Sequence, residues 1–203
     1  MSGAGPISLR ERPRGLPYAE ADDFDARALL EDRGEGTGRE GLERLLREGE
    51  PIVQAAAART LGADGHADAV DPLRRLATDD GADEVARVQA AFALARLGHD
   101  DGREALAAWA EASADATHAP IVAAGALARL GDARGLPVVL DALRADGPWA
   151  TVAARQLHAF LPLDDAAYRA AGLALAHPSE SVRTEARAQL TDAQAARARA
   201  AAR

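Results

Sequence analysis

The 203-residue sequence contains no cysteine, no lysine and no asparagine, and aromatic residues make up only 3 % of it. Without cysteine there is no disulfide framework, no thiolate metal site and no cysteine nucleophile. Arginine is the only fixed cation, beside abundant alanine, aspartate and glycine. GC-rich coding produces that composition by itself, so the missing lysine is not a functional signal. With 48 % hydrophobic residues but few rings, a core must be filled by Ala, Leu and Val, small side chains that favour closely packed helices. No apolar run approaches the roughly 18 residues needed to span a bilayer. The first twenty residues hold Pro6, Pro13 and Pro17 with Arg10, Arg12 and Arg14, and lack the apolar stretch of a signal peptide. A cytoplasmic protein without membrane contact is expected. The net charge of −8 disfavours nucleic acid, whose phosphates need a basic surface.

What is present is a repeat. Three segments align without a gap: Ile52-Val-Gln-Ala-Ala-Ala-Ala-Arg-Thr-Leu-Gly62, Val88-Gln-Ala-Ala-Phe-Ala-Leu-Ala-Arg-Leu-Gly98 and Ile121-Val-Ala-Ala-Gly-Ala-Leu-Ala-Arg-Leu-Gly131. Weaker copies run from Thr151 to Phe160 and from Val182 to Leu190. With Ala58, Leu94, Leu127, Leu157 and Leu190 as the inner apolar position, the steps are 36, 33, 30 and 33 residues. Each copy is free of proline and predicts a helix with a broad apolar stripe. The three strong copies end at a glycine suited to the left-handed position after a helix. These are the B helices. Shorter amphipathic A helices are predicted between them, at 39–48, 67–78, 102–112, 133–144 and 164–176. Asp132 and Asp164 stand where caps are wanted, and Pro72 and Pro137 fall near first turns, with a kink at Pro137 as the alternative. A capping helix over Asp22–Asp32 carries Phe24, Leu29 and Leu30, and Gly34-Glu-Gly-Thr-Gly38 follows as a joint.

The pattern Ala86-Arg-Val-Gln-Ala-Ala-Phe-Ala-Leu-Ala-Arg-Leu-Gly98, with Ser181-Val-Arg-Thr-Glu-Ala-Arg-Ala-Gln-Leu190, resembles HEAT repeats, closest to the short bacterial form first named for phycobilisome lyases. The resemblance runs from about Gly38 to Asp192. It implies an all-α solenoid of about five HEAT-like helix pairs behind the N-terminal capping helix. One such pair cannot bury its apolar face alone, so each needs neighbours. The expected organisation is an extended segment 1–20, a repeat solenoid 21–192 and an Ala/Arg tail 193–203 that extends the last helix or frays.

No catalytic constellation emerges. His66, His99, His118, His158 and His177 belong to no His-x-x-x-His or His-Glu-x-x-His spacing. The His-Glu pairs that bind iron in HEAT-like hydroxylases are absent, and all five are expected as solvated loop or terminal histidines. Acidic pairs such as Asp79-Asp80, Asp83-Glu84 and Asp100-Asp101 fall at loops and first turns, where caps and the helix dipole favour acids. No nucleophile elbow or phosphate-cradling loop is found. No cofactor, no metal and no catalytic residue is expected, and therefore no enzyme.

The candidate binding residues are Arg96, Arg129, Gln89 and Trp149. The residue before the last apolar position of each B helix is Thr60, Arg96, Arg129, Ala159 and Asp192, and Gln89 lies seven residues before Arg96, on the same helical face. The family resemblance puts B helices on the concave side, so Arg96 and Arg129 would line a groove there. The alternative is that each pairs with an aspartate of an adjoining turn, Asp100 or Asp132. Trp149, after Gly147-Pro148, is either a packing residue or a binding anchor, whereas Trp109 is expected to pack.

The function expected is a non-enzymatic adaptor holding a protein or peptide partner, one with an acidic or phosphorylated segment if the two arginines bind it. Two other functions stay open: an accessory, lyase-like component that presents a substrate protein to a modifying enzyme, and a HEAT-type nucleic-acid binder or glycosylase, which the acidic balance opposes. The repeat itself generates a test. Leu94→Ala at a central seam should lose about 2–5 kcal/mol in denaturant unfolding, and Leu190→Ala at the terminal copy less; equal losses would contradict the stacking.

Overall fold

The computed structural model describes residues 23–112 and 117–202. Among them are twelve α-helices and no strand. The helices are α1 Asp23–Asp32, α2 Arg39–Glu48, α3 Pro51–Ala63, α4 Val70–Thr78, α5 Glu84–Arg96, α6 Asp100–Ala110, α7 Ala119–Arg129, α8 Leu136–Arg144, α9 Ala150–Phe160, α10 Ala166–Leu175, α11 Glu180–Gln189 and α12 Asp192–Ala201. The fold is all-α. The expected extended segment 1–20 and the side chain of Phe24 lie outside the described residues. No described helix is long and apolar enough to cross a membrane.

The chain divides into two compact units, Met1–Gly102 and Arg103–Arg203. In the first, α1 packs on α3 and α3 on α5, while α2 packs on α3 and α4, and α4 on α5. In the second, α7, α9 and α11 pack in succession, α8 lies against α7 and α9, and α10 against α9, α11 and α12. Packing is therefore pairwise and sequential within each unit.

Composition explains which helix takes which place. In α3 and α5, Ala55 to Ala58 and Ala90, Ala91 and Ala93 are all at most 5 % exposed. A helix with neighbours on most sides must be apolar nearly all round, and alanine allows that without holding the axes apart. The flanking helices bury only a stripe: Leu42, Leu45 and Leu46 in α2, Leu73 and Leu76 in α4. Pro137 is at the first turn of α8, where its missing N–H is harmless, so it starts the helix and does not kink it. The Asp83 carboxylate caps α5 through the N–H groups of Val85 and Ala86, and Asp164 accepts from Ala166 N–H at 2.7 Å.

One turn recurs. The amides of Glu35, His66, His99 and Asp132 donate to the carbonyls of Leu30, Leu61, Leu94 and Leu127 at 2.9, 3.1, 3.0 and 3.0 Å. Before each donor stands a left-handed glycine, Gly34, Gly65, Gly98 or Gly131, with φ between +72° and +88°. This is the glycine-terminated helix end whose second amide closes back on the last turn. It corrects the alignment at the first copy. Gly62 does not end α3; it is buried inside the helix, and Gly65 makes the turn. The inner leucine of that copy is Leu61, not Ala58, so the first steps are both 33 residues.

The C-terminal segment also departs from expectation. It neither extends α11 nor frays. Leu190 is extended, and Thr191 and Gln194 form a reciprocal capping box that opens α12. Ala195 and Ala198 of α12 are buried, and the helix packs on α10.

Two glycine substitutions separate conformational from steric demands. At Gly131 nothing lies within 4 Å of an added Cβ, but φ is +82°. Gly131→Ala should therefore lose about 1–2 kcal/mol from the left-handed backbone alone, and Gly131→Asn less. At Gly62 an added Cβ would sit 2.6 Å from Ala93 Cα; Gly62→Ala should lose about 1–3 kcal/mol through overpacking, and Gly62→Asn more. Denaturant unfolding of the four variants checks that opposite ordering.

Candidate functional site

In the first unit two of the expected binding residues, Gln89 and Arg96, lie on α5 with Phe92. The guanidinium carbon of Arg96 is 5.6 Å from the Phe92 ring centroid and that of Arg59, on α3, is 5.2 Å from it, both within reach of a cation–π attraction. Arg96 is exposed at the end of α5. Gln89 is not: it is 2 % exposed, and its Oε1 accepts a bond from Arg59 Nη1 at 3.2 Å. An amide so placed joins α3 to α5 and presents no surface to a partner. Arg59 itself, 5 % exposed, escaped the sequence reading. The corrected register puts Arg59, Phe92 and Gly125 at equivalent positions, and it puts Ala63, not Thr60, in line with Arg96 and Arg129.

In the second unit Arg129 is half-buried at the end of α7. Asp132, one of the expected counter-ions, is held by Arg134: Nε lies 3.0 and 3.1 Å from the two carboxylate oxygens, and Nη2 2.7 Å from Oδ2. This two-pronged bond pulls the Asp132 carboxyl below the usual carboxylate range and raises Arg134, to which the charge of Glu111 adds. Trp149 is half-buried just before α9, and its ring centroid lies 5.0 Å from that of His118, tilted by 34°.

Trp149 also lines a groove of about 720 Å³. Its walls are the end of α6 with Ala110, Glu111 and Ala112, Arg134 in the turn before α8, Pro137, Val138 and Asp141 on α8, and the turn Gly147–Trp149. Pro148 and the left-handed Asp146, φ +47°, shape that turn. The groove therefore opens on the A-helix side of its unit, whereas the sequence directed attention to the B helices. Nothing in the sequence pattern marked Glu111, Arg134 and Asp141 as neighbours, since they come from three separate elements.

The histidines are more enclosed than expected. His177 is 8 % exposed; its Nε2 lies 3.2 Å from Leu143 O and 3.5 Å from Asp146 Oδ1, and its Nδ1 accepts from Ser179 N–H. It ties α8 to the turn before α11 and is no solvated terminal residue. His66, His99, His118 and His158 are all half-buried. Among the described residues no three His, Asp or Glu side chains are grouped to hold a metal ion. Acidic residues do structural work instead: Asp101 Oδ2 bonds Arg74 Nε at 2.6 Å, which lowers its pKa, and Asp79 accepts from Gly81 N–H.

No family model matches the chain, and no curated protein matches it.

Asp101 and Asp132 give a pH prediction. Their carboxyls are depressed in the folded state, so their contribution is complete at neutral pH and is lost as pH falls through the depressed value, below the usual carboxylate range. The Asp101→Asn/Asp132→Asn variant keeps acceptor oxygens for the nearby amides but cannot ionise. Its thermal midpoint should lie below that of the wild type at pH 7 and converge with it in acid; a constant gap across that range would contradict the assignment.

Proposed function

We propose that the chain is a non-enzymatic adaptor that binds a protein or peptide partner, its helix pairs continuing as a HEAT-like solenoid. The observation that carries this reading is the recurrence of one glycine turn every 33 residues, after α3, α5 and α7. A chain that repeats one helix pair gains extended surface in proportion to its length, and such surface is suited to holding another chain. Two exposed features support it: Arg96 at the end of α5, and the groove walled by Trp149. Arginine and tryptophan are the residues most often found as anchors of protein interfaces.

On this reading Arg96 in the first unit and Arg129 in the second each engage acidic or phosphorylated residues of the partner through two-pronged, charge-assisted bonds, which are about twice as strong as neutral ones. Affinity capture from the native cell, read by mass spectrometry, tests the adaptor role: a protein client retained directly by the purified chain supports it. A modified client recovered together with its modifying enzyme would favour an accessory, lyase-like role instead, and nuclease-sensitive recovery a nucleic-acid role. With a client in hand, Arg96→Gln/Arg129→Gln should melt like the wild type and lose at least about tenfold in affinity, equivalent to roughly 1.4 kcal/mol. Wild-type binding should weaken with salt. Unchanged affinity in a well-folded double variant would remove the arginines from the site.

A further inference from the structure

The groove of the second unit carries a charge pattern of its own. Three ionisable side chains line it, Glu111, Arg134 and Asp141. Arg134 is held by Asp132 through Nε and Nη2 and is drawn on by the charge of Glu111 as well, so Glu111, Asp132 and Asp141 outnumber the one cation and the groove stays net negative. Asp141 has an ion-pair contact, Arg144 at 3.4 Å, but both side chains are at least 65 % exposed and Arg144 is not part of the wall. Such an exposed pair contributes little. The remaining wall is apolar and stiff: Pro137 and Val138 on α8, then Pro148 and Trp149. The volume, about 720 Å³, falls within the ~300–1,000 Å³ of ordinary ligand clefts.

We infer that this groove receives an extended cationic segment of a protein partner, an arginine set against the Trp149 ring with Glu111 and Asp141 as its counter-charges, and an adjoining apolar residue on Pro137 and Val138. The inference rests on the adaptor reading and adds the chemistry of the bound segment. Charge complementarity selects the occupant. A guanidinium is attracted to the face of an indole and to carboxylates together, whereas an acidic segment would meet two like charges in a chain whose net charge is already −8. The apolar wall supplies the second requirement, because an arginine alone would leave the surface of Pro137 and Val138 wet. An extended backbone fits because the walls come from a helix end, a helix side and a turn, and offer no strand edge to pair with.

The test uses the full chain and two fluorescein-labelled peptides, acetyl-Pro-Leu-Arg-Pro-Leu-amide and its counterpart with Glu in place of Arg, titrated by fluorescence anisotropy. The Arg peptide should bind and weaken several-fold with added salt, and the Glu peptide should bind at least tenfold more weakly. Glu111→Gln/Asp141→Asn changes only exposed side chains; it should melt normally and lose at least about tenfold in affinity for the Arg peptide. Trp149→Leu should lose a comparable amount, and if that variant melts early the carboxylate variant decides alone. Equal binding of the two peptides, no binding of either, or full affinity in the carboxylate variant would overturn the assignment. A client captured from cells and still held by Glu111→Gln/Asp141→Asn would defeat the groove assignment and leave the adaptor reading standing. Binding of the Arg peptide with no client captured would do the reverse.

Discussion

Helix ends that close through a leucine carbonyl and a left-handed glycine set the geometry on which the rest of the fold depends. The carbonyl of Leu61, Leu94 or Leu127 would be an unsatisfied buried acceptor at the end of its helix. The amide five residues on satisfies it, but only if the residue between adopts a positive φ, which glycine does without strain. Because the same leucine is buried against the neighbouring helices, the turn and the core are fixed by one residue. Ala69, Gly102 and Gly135, four residues after the glycines that follow α3, α5 and α7, are all buried at or near the start of the next helix. A small residue is needed there: an added Cβ at Gly135 would sit 2.5 Å from the Cβ of Ala124.

Within this frame the polar contacts between neighbouring helices vary from place to place. Arg59 reaches from α3 to Gln89 and Phe92 on α5, while Arg155 on α9 holds Glu185 on α11 at 2.9 and 3.1 Å, both side chains less than one-fifth exposed. Between α7 and α9 the equivalent of Phe92 is Gly125, and the side chain of Gln156 fills the space: its Oε1 would lie 1.9 Å from a Cβ placed there. That oxygen has no hydrogen-bond partner among the described residues. Each of these three junctions thus has its own lock, one aromatic and cationic, one a buried amide on a glycine, one an ion pair. The buried ion pair adds little net stability, because the cost of desolvating its charges offsets much of their attraction.

Much of the helical framework was legible in the sequence. The leucines of α2 alternate at three and four residues, and its expected bounds, 39–48, are those found. The glycines at 98 and 131 were legible because nothing else ends an apolar run so sharply. At the first copy the same logic chose Gly62 and missed Gly65, since an alanine run looks alike in any register and only the turn supplies a landmark. Arg59 was missed for a related reason: a lone arginine in a helix is normally solvated, and its burial becomes visible only once Phe92 and Gln89 are known to face it. The groove at Trp149 was half legible. A tryptophan after Gly-Pro announced an unusual turn, but its partners Glu111 and Asp141 are 38 and eight residues away and follow no period. The structured tail was illegible because a string of Ala and Arg has no stripe; Thr191 and Gln194 were its one signal.

The spacing of the turns has a consequence for how such a chain can change length. Gly65 and Gly98 occupy the same place in the same backbone turn, so excising 66–98 would rejoin two identical conformations, and duplicating that stretch would insert a complete helix pair without disturbing either end. At the glycine itself, such recombination asks for no new backbone conformation. It is not neutral for the side chains. The excised stretch contains both Gln89 and Phe92, so the amide and the ring against which Arg59 packs would leave together, and Arg59 would face whatever the next repeat happened to offer. The backbone of this protein is built from interchangeable lengths, whereas its buried side chains record the order in which those lengths now stand.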